Sequence, residues 1–181
     1  MHLKKIEHLN KILNIFIVFT QIGITLITMI VLYMIFAISD FRGGFDGITG
    51  ITIFQPIMAI VFSLITIFTC GLIGLPIRIN KKLNKWWRTK FYISLILTFI
   101  GVILCILSFF QTLVQQIEYE IDGITEMEII PNNYLAIFGW FLIAFGILHS
   151  FPPYNLQEKL TNWLNRKFYN EKKIVSEFTR T

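Results

Sequence analysis

Four stretches of the chain carry no Asp, Glu, Lys or Arg: Ile12–Ser39, Gly47–Ile77, Phe91–Ile117 and Ile129–Gln157. A helix needs roughly 20 apolar residues to cross about 30 Å of hydrocarbon, so each stretch has room for one membrane span. The predicted cores are 12–38, 53–75, 91–114 and 134–151. Pro56 and Pro131 stand where spans two and four begin, positions at which a missing N–H is harmless. Pro76 and the pair Pro152-Pro153 stand where those spans end.

Between the spans the pattern changes. Segments 77–90 and 154–169 interleave apolar and basic positions at helical spacing: Ile79, Leu83 and Trp86 in the first, Leu156, Leu160 and Trp163 in the second. Both predict amphipathic helices lying in the headgroup plane. In residues 117–130 apolar and polar positions alternate about Asp122-Gly123, which predicts a hairpin. A three-residue turn there sets Tyr119 opposite Met127, Ile117 opposite Ile129 and Glu120 opposite Glu126. The loop at 41–53 shares an Asp-Gly centre, Asp46-Gly47, and predicts a second, weaker hairpin; together the two would form a four-stranded cap.

These elements recur. Pro76–Tyr92 and Pro153–Tyr169 align at an offset of 77 with seven of 17 columns identical. Asp46-Gly47-Ile48-Thr49 returns as Asp122-Gly123-Ile124-Thr125, and Thr20-Gln21-Ile22-Gly23 is echoed by Thr98-Phe99-Ile100-Gly101. The expectation is a tandem duplication: repeat one over about 1–90, repeat two over about 91–181. Each unit has an even number of spans, so the halves should be related by a pseudo-twofold along the membrane normal. The expected fold is therefore an all-α integral membrane protein, one domain of four transmembrane helices in two tandem two-helix repeats, with short outer hairpins and cytoplasmic amphipathic helices.

Composition agrees: 55% hydrophobic, 15% charged, mean hydropathy +0.65. Charge adds sidedness. Of the 16 Lys and Arg, only Arg42 falls in an outer loop; the other fifteen lie at the N-terminus, between spans two and three, or after span four. Basic loops stay inside, which places both termini and the middle loop in the cytoplasm. The apolar part of span one is about twice the 7–15 residues of a signal peptide, so it is expected to be retained. The Ile, Phe, Lys and Asn bias points to an AT-rich bacterium, hence to a cytoplasmic (inner) membrane.

Candidate chemistry is sparse. Arg78, Lys81, Lys82, Lys85, Trp86, Trp87 and Arg88, with Lys159, Trp163, Arg166 and Lys167 in the second copy, form the candidate membrane-interface or partner surface. Their expected partners are anionic lipid headgroups, a membrane-protein partner or a second copy of the chain; no nucleic-acid motif is present. A seven-residue rhythm of small and hydroxyl residues marks span three: Ser94, Thr98, Gly101, Cys105, Ser108 and Thr112. Gly139 and Gly146 on span four, and Gln21 on span one, extend it. Helix packing through small side chains is one reading, a polar file for a small solute the other. The acidic loop 118–128 lacks the spacing of a calcium loop and reads as a solvated surface. Cys70 and Cys105 sit at different depths and outside any C-x-x-C pair, so no disulfide is expected. His149 reads as an interfacial or capping residue. No nucleophile–base pair, metal-ligand set, cofactor motif or phosphate loop can be assembled. The expectation is a non-enzymatic accessory, scaffold or interaction subunit, with a channel or carrier for a neutral solute as the alternative.

Overall fold

The charge-free stretches fold as helices. A computed structural model describes residues 2–39, 44–110, 113–121, 124–153, 155–163 and 166; Thr112, Lys167 and the Asp122-Gly123 turn lie outside them. In chain order the elements are α1 (His2–Ser39), α2 (Gly44–Thr49), α3 (Gln55–Ile73), α4 (Leu75–Ile79), α5 (Lys81–Thr89), α6 (Tyr92–Leu107), β1 (Gln115–Ile121), β2 (Ile124–Ile130) and α7 (Asn133–Leu148). Residues 155–163 form a further helix, α8.

Two runs, Lys11–Ser39 and Gly47–Ile73, are long and apolar enough to cross a membrane. The pair α5 and α6, bent by 70°, makes a third if read as one broken span. The last two apolar helices are shorter than the sequence implies. At about 1.5 Å per residue, α6 and α7, with 16 residues each, reach only about 24 Å. The cause is local: past Leu107 the Ser108 hydroxyl donates to the Cys105 carbonyl at 2.6 Å. The Ser108 carbonyl meanwhile accepts the Asn132 N–H at 2.9 Å, and the chain turns toward β1 instead of continuing to Val114.

Of the loop expected to form the first hairpin, the described part, 44–53, is helical instead. It starts at Gly44, whose φ of +80° suits glycine, and passes through a π-helical turn, Gly50–Phe54, into α3. Pro56 explains the turn. It has no N–H for the Thr52 carbonyl, and its ring would crowd that oxygen in a regular helix; one extra residue per turn relieves both. The sheet consequently has two strands rather than four. Its register also differs by one residue from expectation: Tyr119 pairs with Glu126, Glu120 with Thr125 and Ile121 with Ile124. Glu120 is thus paired with Thr125 rather than with Glu126.

Polarity across the bundle is inverted relative to a water-soluble core. Phe16, Phe19, Phe68 and Phe99 are 67–69% exposed, whereas Thr25, Ser63, Ser108 and His149 are fully buried at 0%. Lipid rewards the first arrangement and favours the second where the buried group finds a partner within the protein, as the Thr25 and Ser108 hydroxyls do on the Gln21 and Cys105 carbonyls, while Ser63 Oγ finds none. Helix α7 sits at the centre, packing on α1, α3 and most extensively on α6. A pseudo-twofold equating α1·α7 with α6·α3 would bring α6 and α3 into comparable contact, and they make no extensive one. The core follows α7: Met29, Cys70, Cys105, Ile143, Ala144 and Leu148 form one cluster, with Ile77, Trp87 and Phe151 at the basic end. Both cysteines are free, as their different depths imply.

Candidate functional site: a capped helix end beside a basic cleft

An α-helix ends with carbonyls that have no partner of their own, and inside a membrane protein that deficit is costly. At the end of α7 it is met by side chains from four other elements. Arg78 Nη2 of α4 donates to the Leu148 carbonyl at 2.9 Å. The His149 carbonyl accepts from Trp87 Nε1 of α5 at 2.8 Å and from the Ser94 hydroxyl of α6 at 2.9 Å. Gln21 Nε2 of α1 reaches the Ser150 carbonyl at 2.8 Å. The guanidinium at Leu148 also complements the negative end of the helix dipole. A hydrogen bond to a charged group contributes about 1.5–3 kcal/mol, so this junction holds the basic end together.

Aromatic rings fill the space around it. The Phe151 ring has a guanidinium on each of two contacts, Arg78 and Arg88, both 5.2 Å from its centroid. His149 stacks on Phe145 with centroids 4.3 Å apart, and its Nδ1 lies 3.0 Å from the Phe145 carbonyl. That contact requires a proton on Nδ1, which leaves Nε2 as the bare nitrogen. Nε2 has no hydrogen-bond partner. The ring lies directly over Gly74, where a Cβ would collide with Nε2 and Cε1. The ring is thus buried at the end of α7, between Phe145 and Gly74.

The sequence placed Arg78, Trp87 and Arg88 with their basic neighbours at the membrane interface or a partner surface; the structure sets these three deeper than the lysines beside them. Trp87 and Arg88 are buried, at 8% exposure each, and Arg78 is half-buried. The reason is a break in the basic segment. Asn80 adopts an extended ψ of 111° and accepts the N–H groups of Lys82 and Leu83, so 77–90 is not one helix but the end of α4 and all of α5. The break rotates Trp87 inward to the α7 carbonyls. Lys81, Lys82, Lys85, Trp86, Lys159, Trp163 and Arg166 do remain exposed.

Beside the junction, α1, α4 and α5 enclose a cleft of about 530 Å³. Arg78, Lys81, Lys85 and Arg88 line it, with Asn14 and Asn84, and Ile17 and Val18 of α1 form an apolar wall. Among the described residues no carboxylate lines it. Burial pushes the pKa of the Arg78 guanidinium down. The clustering of these cations about one cleft was not legible in a linear reading, because Asn14 and Ile17 come from a helix some sixty residues earlier.

The small-residue stripe of α6 lies against α7. A Cβ built on Gly101 would sit 2.7 Å from the Gly139 carbonyl and 2.8 Å from Ile143 Cγ1. One on Gly139 would meet Cys105 Sγ at 2.6 Å, and one on Gly146 the Ser94 carbonyl at 2.7 Å. Ser94, Thr98, Gly101 and Cys105 thus face Gly139, Ile143 and Gly146 across a seam with no spare volume. Ser108 lies at the seam's far end, bonded back to Cys105, while Gln21 is on α1 at the basic end. The stripe and Gln21 do not form one continuous line. Among the described residues no group of three or more His, Cys, Asp or Glu is placed to hold a metal ion. Comparison with protein-family models, with curated proteins and with solved structures finds no match for this chain.

Proposed function

We propose that the chain is a non-enzymatic, four-crossing protein of a bacterial cytoplasmic membrane that acts through contacts, as an accessory, scaffold or self-associating subunit. In this reading the basic end faces the cytoplasm, the β1–β2 strands face outward, and α6 and α7 cross with the help of their flanking turns. One observation carries it. Buried and half-buried polar side chains join one helix to another: Gln21, Arg78, Trp87 and Ser94 at the α7 end, Trp140 with Thr66 at 2.8 Å, and Tyr33 with Gln55 at 2.9 Å. Besides the basic cleft, other molecules meet the outside, where Ile79, Trp86, Leu156, Leu160 and Trp163 are exposed beside the lysines of α5 and α8. Such apolar residues flanked by cations suit the interface or a partner helix.

The test is purification in mild detergent with and without the pair Trp86→Ala and Trp163→Ala. A stoichiometric partner, or a self-associated form, is expected with the unaltered chain and should be lost from the double variant. Unchanged co-purification at equal membrane yield would count against these surfaces. The alternative, a channel or carrier for a small neutral solute, would need a path other than the α6–α7 seam, where α6 and α7 approach too closely for a Cβ at Gly101, Gly139 or Gly146.

A further inference from the structure

The cleft between α1, α4 and α5 has a chemical gradient along it. At its mouth stand Lys81 and Lys85, both exposed; deeper lie the Arg78 and Arg88 guanidinium groups; Ile17 and Val18 close one side with methyl groups. Among the described residues the groups that hold the Arg78 cation are neutral: the Leu148 carbonyl at 2.9 Å, the Gln21 amide oxygen at 3.4 Å and the Phe151 ring. A partly buried cation held by neutral groups retains most of its attraction for an anion. Arginine and lysine side by side suit a phosphate in particular, the first through its planar fork and the second as a mobile point charge.

We propose that this cleft is a binding site for the phosphate of an anionic phospholipid, with the headgroup among Arg78, Lys81, Lys85 and Arg88 and the start of an acyl chain against Ile17 and Val18. The alternative bearer of the same phosphate chemistry is a small soluble phosphate ester, which would use the cations but not the apolar wall. The wall favours the lipid. Asn14 stands one turn before Ile17 and Val18 on α1, where the glycerol region of a lipid would pass from polar to apolar surroundings. The volume, about 530 Å³, takes a headgroup and the first part of a chain but not a whole lipid, which would extend into the surrounding bilayer. This inference rests on the membrane reading above and is independent of whether the chain serves as a scaffold.

Native mass spectrometry of the purified full chain in a neutral detergent, titrated with dioleoyl phosphatidylglycerol, phosphatidylcholine or glycerol 3-phosphate, tests it. Retention of phosphatidylglycerol well above phosphatidylcholine is expected. The pair Lys81→Gln and Lys85→Gln should weaken it by about fivefold per lysine. Both side chains are exposed, so this variant should fold; its melting curve checks that. The pair Lys11→Gln and Lys90→Gln removes the same charge outside the cleft and should leave retention unchanged. Equal loss in both variants would mean diffuse attraction to the basic end and would overturn the site. Glycerol 3-phosphate bound as tightly as phosphatidylglycerol would assign the cleft to a soluble phosphate and overturn the lipid. Because the measurement uses purified protein without a partner, its failure and a failure of the contact role are read separately.

Discussion

Gly139→Ala tests the α6–α7 seam, on which the rest of the bundle is assembled. The added methyl would lie 2.6 Å from Cys105 Sγ and 2.7 Å from the Gly101 carbonyl, where apolar contacts prefer about 3.5–4.0 Å. The sulfur can swing away, but the Gly101 carbonyl and the Cys105 N at 2.9 Å are backbone, so the helices themselves must move apart by about 1 Å. Overpacking of this kind costs about 1–3 kcal/mol. Against it, alanine is favoured over glycine inside a helix by about 0.8–1 kcal/mol. Gly23→Ala isolates that second effect, because nothing lies within 4 Å of a Cβ there, in the middle of α1. The expected result is Gly23→Ala slightly more stable than the parent and Gly139→Ala less stable than Gly23→Ala by about 2 kcal/mol, or about 4–8 °C in melting temperature. A thiol-reactive dye provides the readout, since Cys70 and Cys105 are both buried and become labelled as the bundle opens. Equal melting of the two variants would refute the seam.

Trp87→Phe removes one of the two side-chain donors to the His149 carbonyl but leaves Ser94, so a loss of about 0.5–1.5 kcal/mol is expected in the same assay, with Trp86→Phe near zero. Gly74→Ala should displace the His149 ring and lower melting more than Gly71→Ala, whose added methyl meets nothing within 4 Å. Cys105 should resist water-borne maleimide in intact membranes, because its Sγ contacts α7; rapid labelling would reopen the solute-path reading.

Hydropathy and residue size were informative wherever the physics is a one-body matter. Charge-free stretches became apolar helices because transfer to hydrocarbon is decided residue by residue, and the glycines and hydroxyls of α6 marked a contact because only small residues allow one that close. What stayed hidden depends on pairs far apart in sequence. Trp87 looked like an interface anchor because its neighbours are basic; it is buried because its N–H meets a carbonyl 62 residues later. The Asp-Gly pair at 46–47 resembled that at 122–123, yet Pro56 ties the first to a π-helical turn, and the second is followed by strand residues. The duplication made the two halves look equivalent, whereas α7 became the hub and α6 did not. Small differences between the copies decided the packing: glycines at 139 and 146 allow α7 the close approach to α6, and the matching positions of α3 on an offset of 77, Phe62 and Thr69, do not.

The central claim is that the basic end and the β1–β2 end lie on opposite sides of one membrane. Two variants in a background with Cys70 and Cys105 replaced by alanine, Lys85→Cys and Glu126→Cys, measure it with a membrane-impermeant maleimide. In intact cells stripped of any outer layer, label is expected on the cysteine at 126 and not at 85; in inverted vesicles the pattern should reverse. Labelling of both positions from the same side would contradict the account.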